Sequence, residues 1–297
     1  MGFFYLIIAR LAGIFKVIAV KKCGTVAKGA KNSVKINLIR ALGCLAVSLI
    51  VFAFSPSGLD TNGLWISLLS GVSNALFLFL WILAAERLSL CLVEVFCMLG
   101  SVVLPLLLAP LLYEGETVSW HQWLCTGALV LATFLFFPKS TKKAPFDWKS
   151  LLLLTACGLT SAGTVISQKL YGAYSSSNIS VFNLTTFAAV CAAFSIAFLF
   201  IIIKDKREKK GSEVEKQKFT ATVWVLIAIA TTMLYANSYL HTLASNHFSS
   251  AVFFPLSYSI GWFFTFLSDL IVFKEKATAK KIVGFCIVIV TGVLICL

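Results

Sequence analysis

Apolar residues fill long stretches of this chain, and charged residues are concentrated in the segments between them. The stretches are about 18 residues or longer, which is enough for an α-helix to cross the hydrocarbon core of a bilayer. Their repetition predicts an all-α polytopic membrane protein with ten transmembrane helices. The ten predicted spans are Phe3–Val20, Ile36–Phe54, Leu64–Ala85, Leu90–Tyr113, Trp120–Phe137, Ser150–Tyr171, Val181–Ile203, Phe219–Leu243, Ser250–Phe273 and Ala279–Leu297.

Composition narrows the possible function classes. Of the 297 residues, 59% are apolar and 12% are charged, which is about half the charged fraction of a soluble domain. The nine cysteines form no Cys-x-x-Cys pair and no cluster with histidine, so we expect no metal site and no cofactor. The segment Gly24–Lys31 lacks the Gly-Lys-Ser/Thr ending of a phosphate-binding loop. No Ser/His/Asp set lies at a common depth, so we do not expect an enzyme.

Lysine and arginine are concentrated after the odd-numbered spans. Of the 25 basic residues, 21 lie in the segments that follow the first, third, fifth, seventh and ninth spans, and none follows an even-numbered span. This count assigns Lys280 and Lys281, at the very start of the tenth span, to the segment before it. The positive-inside bias therefore predicts that the odd-numbered loops face the cytosol and that both termini lie outside. Anionic headgroups on the cytosolic surface account for the net charge of +13, so no nucleic-acid partner is expected.

Residues 1–146 and 147–297 are predicted to be two copies of one five-helix unit. Three pairs of short segments match between the halves: Leu83–Ser89 with Leu243–Ser249, Gly115–Ser119 with Lys274–Thr278, and the segments that begin at Asn37 and Asn183. Because five is odd, the second copy enters the membrane in the opposite orientation, and inverted repeats of this kind enclose a binding site near the midplane. Glu116 and Glu275 occupy equivalent positions, where we expect them to fix helix ends.

The second half contains SSAVFFPLSYSIGWFFTFLSDLIVFKEKATAKKIVGF, Ser249–Phe285, where an aliphatic helix precedes a Glu-x-x-Thr turn and a Gly-bearing helix. With ten spans in two halves, this resembles the EamA-type transporters of the drug/metabolite transporter superfamily. The first half departs from the family pattern, because Cys125 stands where the family usually has the glycine that Gly284 supplies. The resemblance implies a cavity surrounded by helices one to four and six to nine, a peripheral fifth and tenth helix, and a bacterial plasma membrane. Such proteins are often described with cytosolic termini, whereas the lysines here indicate the reverse.

Polar and aromatic side chains recur at helical spacing on several spans. On the eighth span, Tyr235 and Ser238 share one side at 100° per residue, and lipid cannot satisfy their hydroxyl groups. We predict that such stripes line the central cavity, whereas His241, on another side, bonds to a neighbouring helix. The predicted cavity residues besides Arg10 are Asn74, Ser101, Gln168, Tyr235, Ser238, Tyr239, Tyr258 and Trp262.

Ionisable side chains within the spans are costly, at about 2.5–3.5 kcal/mol each on insertion scales. Arg40 and Lys169 lie near the predicted membrane surfaces, where we expect their side chains to snorkel to water, and Glu94 is expected to pair with a nearby basic group. Arg10 lies in mid-span with no acidic residue at matching depth. We predict that it faces the cavity and binds a carboxylate or phosphate. The alternative is a shifted or tilted first helix that brings Arg10 to an interface.

These features favour a secondary transporter, an exporter or exchanger, of a small organic metabolite such as an amino acid, with Arg10 binding the anionic group. A second hypothesis is efflux of hydrophobic or cationic toxic compounds with Glu94 as coupling acid, which Arg10 disfavours because like charges repel. A third is a non-transporting scaffold or sensor. The expected partners are the substrate, the bilayer, and a coupling proton or counter-substrate. A monomer and a homodimer both stay open.

Overall fold

All regular secondary structure in the described residues is helical. The computed structural model describes residues 1–26, 30–88, 93, 96–113, 115–135, 147–207, 219–272, 274 and 278–296. These ranges form ten helices and no strand, which confirms the all-α prediction. The helices are α1 (Gly2–Val26), α2 (Ala30–Phe54), α3 (Thr61–Arg87), α4 (Phe96–Leu112), α5 (Trp120–Phe134), α6 (Trp148–Tyr174), α7 (Ile179–Arg207), α8 (Ala221–Ser245), α9 (Ser250–Ile271) and α10 (Ala279–Leu294).

Seven of the described helices are long and apolar enough to cross a membrane, namely α1, α2, α3, α6, α7, α8 and α9. This identifies a membrane protein, as the hydropathy pattern predicts. The described part of α4 is a shorter apolar helix, and α5 and α10 contain 15 and 16 residues. The spans recognised among the described residues are therefore fewer than the ten predicted from apolar runs.

Several helices extend beyond the apolar runs that predict them. Helix α2 begins at Ala30 rather than Ile36, and α7 ends at Arg207 rather than Ile203, because lysine and arginine are good helix formers in the aqueous or headgroup layer. Two aspartates define helix starts by capping. Asp60 accepts a hydrogen bond from Gly63 N at the start of α3, and Asp147 accepts one from Ser150 N at the start of α6.

The helices of the two halves interleave. Helix α1 packs along α8, α3 along α6 and α7, and α2 along α7 and α8, so these contacts join residues 1–146 to residues 147–297. Helices α5 and α10 pack on each other and on α9. This matches the peripheral position that the family resemblance implies for them.

The connections after α2, α4, α6 and α8 meet at one end of the bundle, which we call the even end. Tyr174 Oη at the end of α6 donates to Leu112 O at the end of α4 at 2.7 Å. Ser180 Oγ at the start of α7 donates to Ser55 O at 3.1 Å. The opposite end is the odd end, where Cys23 of α1, Ile36 of α2 and Val223 of α8 pack together. Consecutive helices therefore alternate in direction.

Two glycines allow α4 and α6 to cross in backbone contact. A Cβ at Gly100 would lie 1.9 Å from Gly158 O, and one at Gly158 would lie 2.7 Å from Phe96 O. Gly100 belongs to a π-helical turn, Leu99–Val103, at which Leu104 N donates to Leu99 O. Beside the crossing, the Ser101 and Ser161 hydroxyls lie 2.7 Å apart. Small residues of this kind are the usual means of close helix packing in membranes.

The substitution Gly100→Ala is expected to destabilise the protein by on the order of 1–3 kcal/mol, because its methyl group overlaps the backbone of α6. Gly127→Ala is the matched control, since a Cβ there meets no atom within 4 Å, and alanine is the better helix former. Thermal unfolding of both variants in detergent measures the difference. Equal midpoints for the two variants would contradict the close α4–α6 contact.

Candidate functional site

Four helices bring one polar side chain each to a common cluster inside the bundle. Arg10 comes from α1, Gln168 from α6, His241 from α8 and Ser257 from α9. Arg10 Nε donates to Ser257 Oγ at 2.7 Å, and Arg10 Nη2 donates to the same oxygen. Arg10 Nη2 also lies 2.9 Å from His241 Nε2. Helix α1 belongs to the first half of the chain and the other three to the second, so the Arg10 cluster joins both halves.

The contact with Arg10 fixes the protonation of the histidine. A guanidinium group only donates hydrogen bonds, so His241 Nε2 is an unprotonated acceptor. The proton is therefore on Nδ1, which donates to Gln168 Oε1 at 2.8 Å. Ser257 Oγ lies 2.8 Å from Nε2 and accepts from Arg10 while donating to the ring. His241 is therefore neutral, and Arg10 carries the only charge among the four residues of the cluster.

The charge on Arg10 is not balanced by the residues that hold it. Its contacts in the described part of the chain are all with uncharged groups, and none of these contacts uses Nη1. The side chain is half-buried, whereas Gln168 and His241 are buried. An arginine in this state attracts a planar anion such as a carboxylate, because its fork presents parallel N–H donors.

Two aromatic pairs lie on helices that contribute to the Arg10 cluster, although Tyr235 packs with Cys44 and Phe187 rather than with the cluster. On α9, the rings of Tyr258 and Trp262 lie 6.2 Å apart, and a Cβ at Gly261, between them in sequence, would lie 3.6 Å from Arg10 Cδ. On α8, Tyr235 stacks on Tyr239 at 6.2 Å. Tyr258, Trp262 and Tyr239 are half-buried, and Tyr235 is buried. Aromatic side chains of this kind offer rigid apolar contact surface to a ligand.

The remaining predicted cavity residues lie in separate places. Ser238 is buried and donates to Asn183 Oδ1 of α7 at 2.6 Å, so its hydroxyl is satisfied within the protein. Ser101 pairs with Ser161 at the α4–α6 crossing. Asn74 lines a small recess between α2, α3, α7 and α8. Glu94, the predicted coupling acid, lies outside the described residues.

Sequence reasoning missed two members of the Arg10 cluster. His241 was expected to bond to a neighbouring helix, which is correct, but not to contact Arg10. Ser257 was not selected at all. Their depth in the membrane could have identified these residues. At 1.5 Å per residue along their helices, Arg10, His241 and Ser257 all lie within about 12 Å of the even end.

Two basic residues expected to snorkel are instead buried, so those predictions are wrong. Arg40 is 3% exposed and donates to Asn37 Oδ1 at 2.8 Å. Lys169 is 8% exposed, and its Nζ donates to Ser245 O at 2.9 Å and to Phe248 O. Asn37 of the same helix supplies the acceptor for Arg40, whereas α8 and its connection to α9 supply those for Lys169.

Lys169 also ties the even end together. Its Nζ lies 3.8 Å from Glu116 Oε1, and Glu116 Oε2 accepts from Ser250 N at 2.8 Å at the start of α9. Glu116 therefore fixes a helix end, as expected, although the helix is α9 rather than the neighbouring α5. Glu275, its predicted equivalent, lies outside the described residues.

Asp60 forms a second tie at the even end. Its carboxylate accepts from Ser175 Oγ at 2.8 Å, from Ser177 Oγ and from Gly63 N at 3.0 Å. The hydrogen bonds from Ser177, Ser175 and Gly63, in that order, lower the pKa of Asp60 from 3.8 to about 2. The ionised carboxylate of Asp60 thus joins the α2–α3 and α6–α7 connections, together with hydrogen bonds such as that from Ser180 Oγ to Ser55 O.

Comparison with known proteins supports the fold alone. No protein-family model and no curated protein sequence matches the chain. A solved structure described as "Crystal structure of protein" is similar to it with a TM-score of 0.72 and 11% sequence identity, over 99% of this chain and 98% of that one. The whole helix arrangement therefore recurs in a solved protein.

Asp60→Asn is expected to weaken the acid sensitivity of folding. A carboxylate whose pKa is lowered in the folded protein stabilises it above about pH 4, and this stabilisation is lost as the pH falls towards about 2. The variant lacks this term, so its thermal midpoint in detergent should fall less steeply than that of the unmodified protein over this pH range. Asp147→Asn is the matched comparison: Asp147 caps only its own helix, and its pKa is lowered chiefly by hydrogen bonds from Ser150, so its effect on the pH profile should be smaller than that of Asp60→Asn. Identical pH profiles for Asp60→Asn and the unmodified protein would contradict the tie.

Proposed function

We propose that this protein is a secondary transporter, an exporter or exchanger, of a small organic metabolite that carries a carboxylate, such as an amino acid. The observation that carries the proposal is the half-buried guanidinium of Arg10 in the first half, which is held by neutral acceptors from two helices of the second half. A buried charge without a counter-charge is unfavourable, and an anionic substrate group compensates it during each transport cycle. Neither covalent chemistry nor a cofactor is needed.

The helix contacts support two inverted repeats, residues 1–146 and 147–297. In an inverted repeat, each helix of the first half is equivalent to the helix five positions later, so α1 corresponds to α6 and α3 to α8. The α1–α8 contact is then equivalent to the α6–α3 contact, and both are among the most extensive in the bundle. The same equivalence turns α2–α8 into α7–α3 and leaves α2–α7 unchanged. Ten membrane crossings then follow if α4, α5 and α10 also cross. This is the architecture in which alternating access operates by rocking one repeat against the other.

The positive-inside bias assigns the lysine-rich odd end to the cytosol and both termini to the outside of a plasma membrane. The even end, tied by Lys169, Glu116 and Asp60, is then the extracytoplasmic end. Alternating access requires these ties to break when the substrate site opens outward. Polar ties suit this task because water replaces their hydrogen bonds when they open.

Arg10 favours transport of an anion over the competing hypothesis of cation efflux. A permanent, half-buried cation that packs against α9 at Gly261 repels cationic cargo and attracts anions. Efflux of hydrophobic cations therefore requires an acidic site elsewhere. A scaffold or sensor on the same fold predicts no net transport of any solute.

Transport by the purified protein in proteoliposomes is expected for amino acids or other small carboxylates, measured with a panel of labelled anionic, neutral and cationic metabolites. Arg10→Gln should reduce the apparent affinity for the transported anion by roughly 10- to 100-fold, because it removes a charge-assisted hydrogen bond. Arg207→Gln, at the exposed end of α7, is the matched control and should transport normally.

A second variant, Gln168→Glu, tests the same assignment if Arg10→Gln does not fold. Gln168→Glu is nearly isosteric and brings a carboxylate to the Arg10 cluster, so it should compete with substrate and raise the apparent KM. Unchanged affinity in both Arg10→Gln and Gln168→Glu would overturn the assignment of Arg10. Transport restricted to cations would favour the efflux hypothesis, and no transport of any panel member would favour a scaffold.

A further inference from the structure

A second arginine is buried in the bundle, apart from the Arg10 cluster. Arg40 lies 10 residues into α2, about 15 Å from the start of that helix. It is 3% exposed, and its hydrogen bond is from Nη1 to Asn37 Oδ1 at 2.8 Å. Its Nε is buried without a hydrogen-bond partner. The Arg40 guanidinium thus has donors to spare and, among the described residues, only a neutral acceptor.

Arg40 lines a small recess between four helices. The described lining residues are Asn37, Arg40, Ala41, Asn74, Leu78, Phe187, Val190 and Leu234. Arg40 is the one ionisable residue among them, and the two asparagines add amide donors. The free space accommodates about one water-sized particle. The recess is therefore polar on the side of α2 and α3 and apolar on the side of α7 and α8.

The charge of Arg40 demands compensation at this depth. Arginine keeps its proton in proteins, and an isolated ion in a low-dielectric interior is strongly disfavoured. A water molecule in the recess could accept a hydrogen bond from the Arg40 guanidinium, but it would not compensate the positive charge of that group. An anion does both. The size of the recess excludes a phosphate or an amino acid and suits a monatomic ion.

We propose that the Arg40 recess binds a small monovalent inorganic anion, chloride under cellular conditions. Arg40 supplies the charge, and the amide groups of Asn37 and Asn74 complete a polar wall around the ion. The apolar side chains of Phe187 and Val190 keep out bulk water. This site is independent of the proposed substrate site, because Arg40 contacts no member of the Arg10 cluster.

The test measures the thermal unfolding midpoint of the full-length protein in sodium chloride and in sodium gluconate at equal ionic strength. A ligand that binds only the folded protein raises its midpoint with concentration. We expect chloride, and equally bromide, to raise the midpoint above that in gluconate. Equilibrium dialysis with radiolabelled chloride should show one saturable site. Equal midpoints together with no retained label would overturn the proposal.

Variants locate the site. Arg40→Gln should abolish the chloride-dependent shift, and Arg10→Gln and Arg207→Gln should keep it. Asn74→Leu, which fills the recess with an apolar side chain, should also abolish the shift and decides the matter if Arg40→Gln fails to fold. A shift that persists in Asn74→Leu, or that is lost in Arg10→Gln, would overturn the assignment. So would displacement of labelled chloride by acetate at equal concentration, since acetate is too large for the recess.

Discussion

The positive charge of Arg10 constrains the centre of this protein more than any other group. It cannot leave by deprotonation, and α1 carries it into an apolar bundle. Ser257 and His241, on neighbouring helices, accept hydrogen bonds from Arg10. His241 in turn donates from Nδ1 to the amide oxygen of Gln168. One donor-only group thereby fixes a tautomer and an amide orientation, and it ties α1 to three helices of the other half.

The rest of the bundle keeps these helices at the separation that the cluster needs. Gly100 and Gly158 bring the backbones of α4 and α6 into contact, and Gly43 of α2 leaves room for the side chain of Thr231 of α8. At the even end, hydrogen bonds to carboxylates and to backbone carbonyls join the connections. A tightly packed interior with polar ties at one end is compatible with the rigid-body motion that the proposed transport cycle requires.

Much of the fold was predictable because lipid imposes simple rules. The apolar runs predict ten helices, and the structure describes ten helices at those places. The choice of Arg10 and Gln168 also followed from the cost of polar groups at membrane depth. Ser257 was not selected, because a single serine in an apolar helix has no pattern. Lys169 was misjudged because its acceptors, the carbonyls of Ser245 and Phe248, are backbone atoms that any sequence supplies.

The sequence by itself determined the class of protein, the helical architecture and the residues whose charge is expensive in a bilayer, since each depends on local composition and spacing. Tertiary structure alone decided which acceptor meets which charge. Arg10 and Arg40 are both arginines within apolar spans, yet one shares a four-residue cluster and the other faces a recess beside Asn37 and Asn74. That difference depends on how helices distant in sequence are rotated and placed, which periodicity within one helix does not encode.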